Sequence, residues 1–181
     1  MPLPDGYIAA LALLGRVFRA YQARTGHSAV LVGGAATAIY TAGMFPSGDF
    51  DVVAGSTSAF DEVMFEHGFV REDRAGHLLV GFYHPDHPGY GFQQVTGPLF
   101  DGRSDRGRLV RFAVTADSAV VLPAVEDLIA DRLGQHAVAS KTDDSRLRQA
   151  RELFNLADDL DRAYLLRRIR DEGGDPALLG L

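Results

Sequence analysis

A chain of 181 residues with 46% hydrophobic content can bury one core of ordinary size but is short for two independent domains. Its net charge of -6 gives no molecule-wide basic surface for nucleic acid or an anionic membrane, so any nucleic-acid contact has to be local. With no cysteine, disulfide frameworks, thiolate metal centres and cysteine nucleophiles are excluded together.

In chain order, Ile8, Leu11, Leu14, Val17, Phe18 and Tyr21 recur at three- and four-residue intervals, which predicts a helix from about Tyr7 to Ala23, stopped by Thr25-Gly26. Arg16 and Arg19 interrupt its apolar stretch, and neither a leading basic region nor a small-residue cleavage site is present. The segment therefore reads as part of the mature protein. No run of apolar residues is long enough to span a bilayer, and the cytoplasm is the expected location. Ser28 to Val32 reads as a strand ending in Gly33-Gly34, followed by a helix over AATAIYTAG. Phe50 to Ala54 reads as a second buried strand, and Ser56 and Ser58 are candidate caps for a helix from Ala59 to His67.

The middle alternates short β-type runs with Gly, Pro and Asp turn clusters, the texture of antiparallel hairpins. Strands near Leu78 to Tyr83, Gly91 to Val95 and Leu109 to Val114 are expected to extend the sheet begun by the first two. Beyond Leu122-Pro123, apolar stripes through Val125, Leu128, Ile129 and Leu133, then Leu147 to Leu160, then Tyr164 to Ile169, predict a helical region. The expected organisation is an α/β core over 1–120 with a helical region over 121–181 packed on it as one unit.

The chemistry concentrates in VLVGGAATAIYTAGMFPSGDFDVV. Asp49 and Asp51 lie two apart on a strand, so both side chains share a face while Phe50 and Val52 take the other. Paired carboxylates there either repel at a cost or share a cation, and hard oxygen ligands suit Mg²⁺ or Mn²⁺, with water and phosphate oxygens completing the shell. Gly33 and Gly34 lack a Cβ, letting the backbone approach a ligand at a helix N-terminus, which favours phosphate. Ser47 adds a hydroxyl. A Walker loop is excluded, since no Gly-Lys-Ser/Thr follows.

A strand ending Gly-Gly, a helix, then Asp-hydrophobic-Asp-hydrophobic resembles the signature of the nucleotidyltransferase superfamily, the fold shared by DNA polymerase beta and the minimal nucleotidyltransferases. The stretch from Val32 to Val53 looks like small bacterial nucleotidyltransferase-like proteins of toxin-antitoxin and abortive-infection type. LPAVEDLIADRL with Lys141, Asp143 and Asp144 is similar to the helical region those proteins carry. The resemblance implies an α+β fold, a mixed sheet flanked by helices with a C-terminal helical region. It further implies that Asp49 and Asp51 bind metal and catalyse, that Gly33, Gly34 and Ser47 bind a nucleoside triphosphate, and that a nucleotide passes to a protein or RNA acceptor. The family adds a third carboxylate from a later strand. Here GFQQVTGPL offers Gln93 and Gln94, poor ligands and poorer bases, with Asp101 or Asp105 as candidates from the following loop.

The alternative is a catalytically degenerate member acting as a protein-binding module of toxin-antitoxin type. A zinc hydrolase using His84 and His87 is remote, since HPDHP reads as a hairpin turn. Arg103, Arg106, Arg108 and Arg111 form the one basic cluster, read equally as a phosphate contact or as a solvated loop balanced by Asp101 and Asp105. Glu126-Asp127 reads as a charge pair favourable to a helix N-terminus.

Overall fold

Helix α1 (Asp5–Thr25) buries Leu11, Leu14, Val17, Phe18 and Tyr21, one stripe of the predicted period, and ends at Gly26 in the left-handed conformation. The structure is a computed structural model describing residues 3–72, 80–140 and 142–181. After α1 come β1 (Val30–Val32), α2 (Gly33–Tyr40), β2 (Asp49–Val53), α3 (Thr57–Glu66), β3 (Val70–Glu72), β4 (Val80–Tyr83) and β5 (Gly91–Val95). Two 3-10 turns, Leu99–Gly102 and Arg106–Arg108, lead to β6 (Val110–Thr115) and β7 (Ser118–Leu122). Helices α4 (Val125–Val138), α5 (Ser145–Leu156) and α6 (Arg162–Asp171) close the chain.

Five strands form one mixed sheet in the order β1-β2-β5-β4-β3, with β2 and β5 parallel and the other pairs antiparallel. Its inner face is aromatic. Phe50 stacks on Phe92 at 5.0 Å between centroids and meets Tyr7 of α1 at 4.8 Å. Phe60 of α3 packs edge-on against Tyr21 at 5.9 Å and against Phe82 at 6.5 Å. This packing pins the register of β2, because a slip of one residue would drive Asp49 or Asp51 into the aromatic layer.

The structure departs from the sequence reading in several places. β6 does not extend the main sheet but pairs with β7, which periodicity did not predict, in a separate two-stranded sheet. Consecutive left-handed residues Phe100 and Asp101 turn the chain away from β5, and β7 instead lies against α1. There the Ser118 hydroxyl donates to the Ala12 carbonyl at 2.6 Å, beside Gly15, where a side chain would collide with that hydroxyl. Helix α2 starts at Gly33 itself, two residues before its expected start. Ser56 stands at the N-cap of α3 without a side-chain cap, and α5 ends at Leu156, leaving Leu160 outside it. Lys141, and the part of the third predicted strand at Leu78 and Leu79, lie outside the described residues. No described helix is long and apolar enough to cross a membrane.

The C-terminal helices are joined to the rest by a buried polar network. Asp127 of α4 accepts from Arg168 Nε at 2.6 Å, from the Tyr164 hydroxyl at 2.9 Å and from the Ser104 hydroxyl at 2.8 Å. Asp127 and Arg168 are both fully buried. Glu126 accepts the backbone N–H of Asp161 at 3.0 Å. The Glu126-Asp127 pair thus does more than favour a helix dipole: it ties α4 to α6 and to the loop after β5.

Candidate functional site

At its C-terminal end β1 runs straight into α2, and Gly33 makes the junction with φ of +67°, a conformation that favours glycine. The Asp51 carboxylate lies directly over Gly33, within the space a Cβ would take. Gly91 of β5 is likewise bare beneath the Asp49 carboxylate, and Gly34 beneath the Ser47 hydroxyl. These glycines give the two carboxylates and the hydroxyl room that any larger residue would fill.

Gly33, Gly34, Ser47, Asp49 and Asp51 line a single cleft of about 340 Å³. The Ser47 hydroxyl donates to the Asp49 carbonyl at 2.8 Å, holding the turn into β2. Helix α2 has no side-chain cap, so backbone N–H groups of its first turn have no intrahelical acceptor. Burial raises the Asp51 pKa above the usual carboxylate value and the neighbouring Asp49 raises it further, while Arg132 opposes both. Two like charges on one strand face, one of them half-buried, form a site that gains from a cation.

The opposite wall is helical. Arg132, Gln135, Arg146 and Gln149 line the same cleft from α4 and α5. Arg132 is 2% exposed, with Nη2 at 3.1 Å from Asp131 and Nη1 donating to Gln135 at 3.1 Å, while its Nε has no partner among the described residues. Burial lowers the pKa of Arg132, with Asp131 countering. Sequence reasoning missed both arginines. One signal was present for Arg132: it follows Val125, Leu128 and Ile129 at the next core-facing step of the α4 stripe, a charge where an apolar residue is expected.

Gln93 and Gln94 separate. Gln93 stands in register with Asp51 on the neighbouring strand and shares its face. Gln94 points into the core, 1% exposed, donating to the Ala54 carbonyl and the Thr57 hydroxyl, each at 3.3 Å. Of the two, only Gln93 shares the face of the aspartates. Of the two loop candidates, Asp101 lines an adjoining cavity of about 320 Å³ together with Asp51, Asp131 and Arg132. Asp105 instead caps the turn at Arg106–Arg108, accepting from the Gly107 N–H at 2.9 Å. Among the described residues no three His, Asp or Glu side chains converge on one point, and Asp49 and Asp51 stand as a pair.

His84 and His87 belong to the turn between β4 and β5, where the His87 N–H donates to the His84 carbonyl at 2.9 Å. The basic cluster is dispersed. Arg103 donates to the Asp171 carbonyl at 2.9 Å, and Arg108 pairs with Asp161 at 2.7 Å over the Tyr164 ring. Arg106 and Arg111 line a different groove, and none of the four lines the aspartate cleft.

No family model matches the chain, and no curated protein is similar to it at a significant level. Solved structures are similar in fold. The crystal structure of an antigenic nucleotidyltransferase-like protein from Paracoccidioides brasiliensis superposes with a TM-score of 0.61 at 12% identity, over 94% of this chain and 88% of that one. The solution structure of the antibiotic-resistance factor ANT(2'')-Ia gives a TM-score of 0.56 at 11% identity, over 90% of each chain. The chain has the nucleotidyltransferase fold, an α+β arrangement with a mixed sheet.

Proposed function

We propose that this chain binds a nucleoside triphosphate with Mg²⁺ or Mn²⁺ in the cleft between the Gly33-Gly34 turn and the Asp49-Asp51 strand, and transfers a nucleotide to a protein or RNA acceptor. The observation that carries the reading is the convergence of Gly33, Gly34, Ser47, Asp49 and Asp51 on one cleft. The donor set fits the metal: Mg²⁺ typically takes one or two protein carboxylates and leaves its other positions to water and phosphate oxygens. A bound divalent ion supplies neutralisation of the polyphosphate and polarisation at phosphorus. The chain's own groups do the rest. Asp49 and Asp51 hold the ion, the first-turn N–H groups of α2 receive phosphate oxygens, joined by the Ser47 hydroxyl once it turns from the Asp49 carbonyl, and Arg132 and Arg146 offset the remaining negative charge from the helical wall.

Titration calorimetry with ATP, GTP, CTP and UTP, each with Mg²⁺, tests this. At least one triphosphate is expected to bind to the wild-type chain, and Asp51→Asn to weaken it more than tenfold. Silence with all four sinks the reading.

One observation favours a second reading. Gln93 in register with Asp51 supplies an amide where transfer chemistry uses a carboxylate, and an amide neither ionises nor takes a proton at neutral pH. Under this reading the fold serves as a protein-binding module of toxin-antitoxin type. Labelled-nucleotide incorporation separates the two: a silent wild type and an active Gln93→Glu variant favour the module, and an active wild type favours the enzyme. Both readings are compatible with a cytoplasmic protein, which fractionation of cells would check.

A further inference from the structure

The sheet face that carries Asp51 continues past an apolar ridge of Val30, Val32, Val53 and Leu99, against which Leu109 and Val121 pack. On the far side of this ridge lies a groove of about 440 Å³ at the junction of α1 with the β6-β7 hairpin. Arg19 from α1, Arg106 from the turn before β6 and Arg111 from β6 all line it, together with Gln22 and Ser28. Ser28 in the groove and Gly33 in the cleft flank β1 on its two sides, five residues apart and so at most about 16 Å along the chain.

These arginines differ from the others in the same stretch. Arg103 reaches Glu172 at 3.3 Å and Arg108 reaches Asp161 at 2.7 Å, whereas Arg19, Arg106 and Arg111 have no carboxylate within 4.0 Å among the described residues. Backbone carbonyls hold two of them at the groove: Arg19 donates to that of Asp117 at 3.0 Å and Arg106 to that of Ser28 at 3.4 Å. Each guanidinium keeps further N–H donors for a ligand. Asp117 is the single acidic residue in the lining: its carboxylate accepts from the Thr115 hydroxyl at 2.8 Å and offsets part of the charge of Arg19, leaving Arg106 and Arg111 as the larger part of the excess. In a chain of net charge -6, this is a local positive excess that is not cancelled by ion pairs.

We infer that this groove binds the phosphodiester backbone of a single-stranded nucleic acid, as a site separate from the aspartate cleft. A guanidinium fork matches phosphate oxygens in pairs, and three forks brought to one groove from α1, the turn before β6 and β6 suit a ligand that carries several phosphates. Phe18, the one aromatic residue in the lining, is buried and offers no ring for base stacking. Recognition is therefore electrostatic and independent of base sequence. The inference holds whether or not the cleft binds a nucleotide.

Fluorescence anisotropy with labelled oligouridine and oligothymidine, without nucleoside triphosphate, tests it between 50 and 200 mM salt. Three phosphate contacts at a slope of about -0.7 each predict roughly a 20-fold loss of affinity over that range. Arg106→Gln and Arg111→Gln are each expected to weaken binding and to reduce the slope by about 0.7, while Arg24→Gln, outside the groove, leaves both unchanged. Both groove arginines are exposed, and circular dichroism checks that the variants stay folded. Absence of binding at 50 mM salt overturns the inference, as does binding indifferent to both groove variants. Competition by inorganic pyrophosphate as effective as that by the oligonucleotide would reduce the groove to a small-anion site and overturn the strand assignment.

Discussion

The two walls of the cleft are built on different principles. The sheet wall presents Asp49 and Asp51 from an alternating strand whose other face is locked by Phe50. The helical wall presents Arg132 from α4, which a buried network on Asp127 and Arg168 ties to α6, and Arg146 from α5, which packs on α4. Carboxylates on a strand are placed by local periodicity and nearby aromatic packing. Guanidiniums on docked helices are placed by contacts between helices, ionic for α4 with α6 and apolar for α5 on α4, that no single segment records. The sheet wall should therefore tolerate loss of the network, and the helical wall should not.

The largest expected effect strikes the helical wall. Arg168→Met leaves Asp127 buried without its cation, and breaking one side of such a pair costs about 3 to 5 kcal/mol, measurable by urea unfolding. A loss below about 1 kcal/mol would show that the helices are held by their apolar stripes alone.

Gly33→Ala addresses the sheet wall. The added methyl meets the Asp51 carboxylate at a backbone φ of +67°, which for a residue with a Cβ costs about 1 to 2 kcal/mol. The same variant is expected to lose nucleotide binding through displaced Asp51, which calorimetry would read. Retained affinity would mean that the carboxylate does not need its present position.

Asp51→Asn gives a smaller, pH-dependent signature. Burial first, then Asp49, raises the Asp51 pKa in the folded chain, against the pull of Arg132. The folded state therefore holds that proton more tightly than the unfolded state. Stability is fully present below the ordinary carboxylate pKa, is lost as pH rises through the raised value, and stays lowered above it. The asparagine variant escapes this loss, so its advantage in Tm grows across that window and is flat beyond it. A constant difference at all pH values would show that neither burial nor Asp49 raises the Asp51 pKa.

The smallest effect is expected outside both walls. Arg24 pairs with Glu66 at 2.8 Å on the surface between α1 and α3, where exposed ion pairs are screened, and Arg24→Gln should leave Tm unchanged within error. A clear drop would reveal a contribution of α1-α3 surface pairing that burial does not predict.

Much of this architecture was legible along the chain. The stripes of α1, α4 and α6, the strand at Gly91 to Val95 and the shared face of Asp49 and Asp51 follow from spacing that each segment carries by itself. Other features were not. The β7 strand was hidden because SAVVL borrows its partner from β6 and its packing from α1, neither encoded within the five residues. Likewise the arginines at 103 and 108 look in sequence like an open basic loop, yet Asp161, Glu172 and Tyr164, more than fifty residues away, absorb them.

By itself the sequence determined which side chains share a face, since period two in a strand and period 3.6 in a helix are local geometry. The tertiary structure alone decided that Gln93 faces the aspartates while Gln94 is buried, and that Arg132 and Arg146 close the cleft. Strand register and helix docking are fixed by contacts between distant segments, and no periodicity within one segment records which partner it will meet.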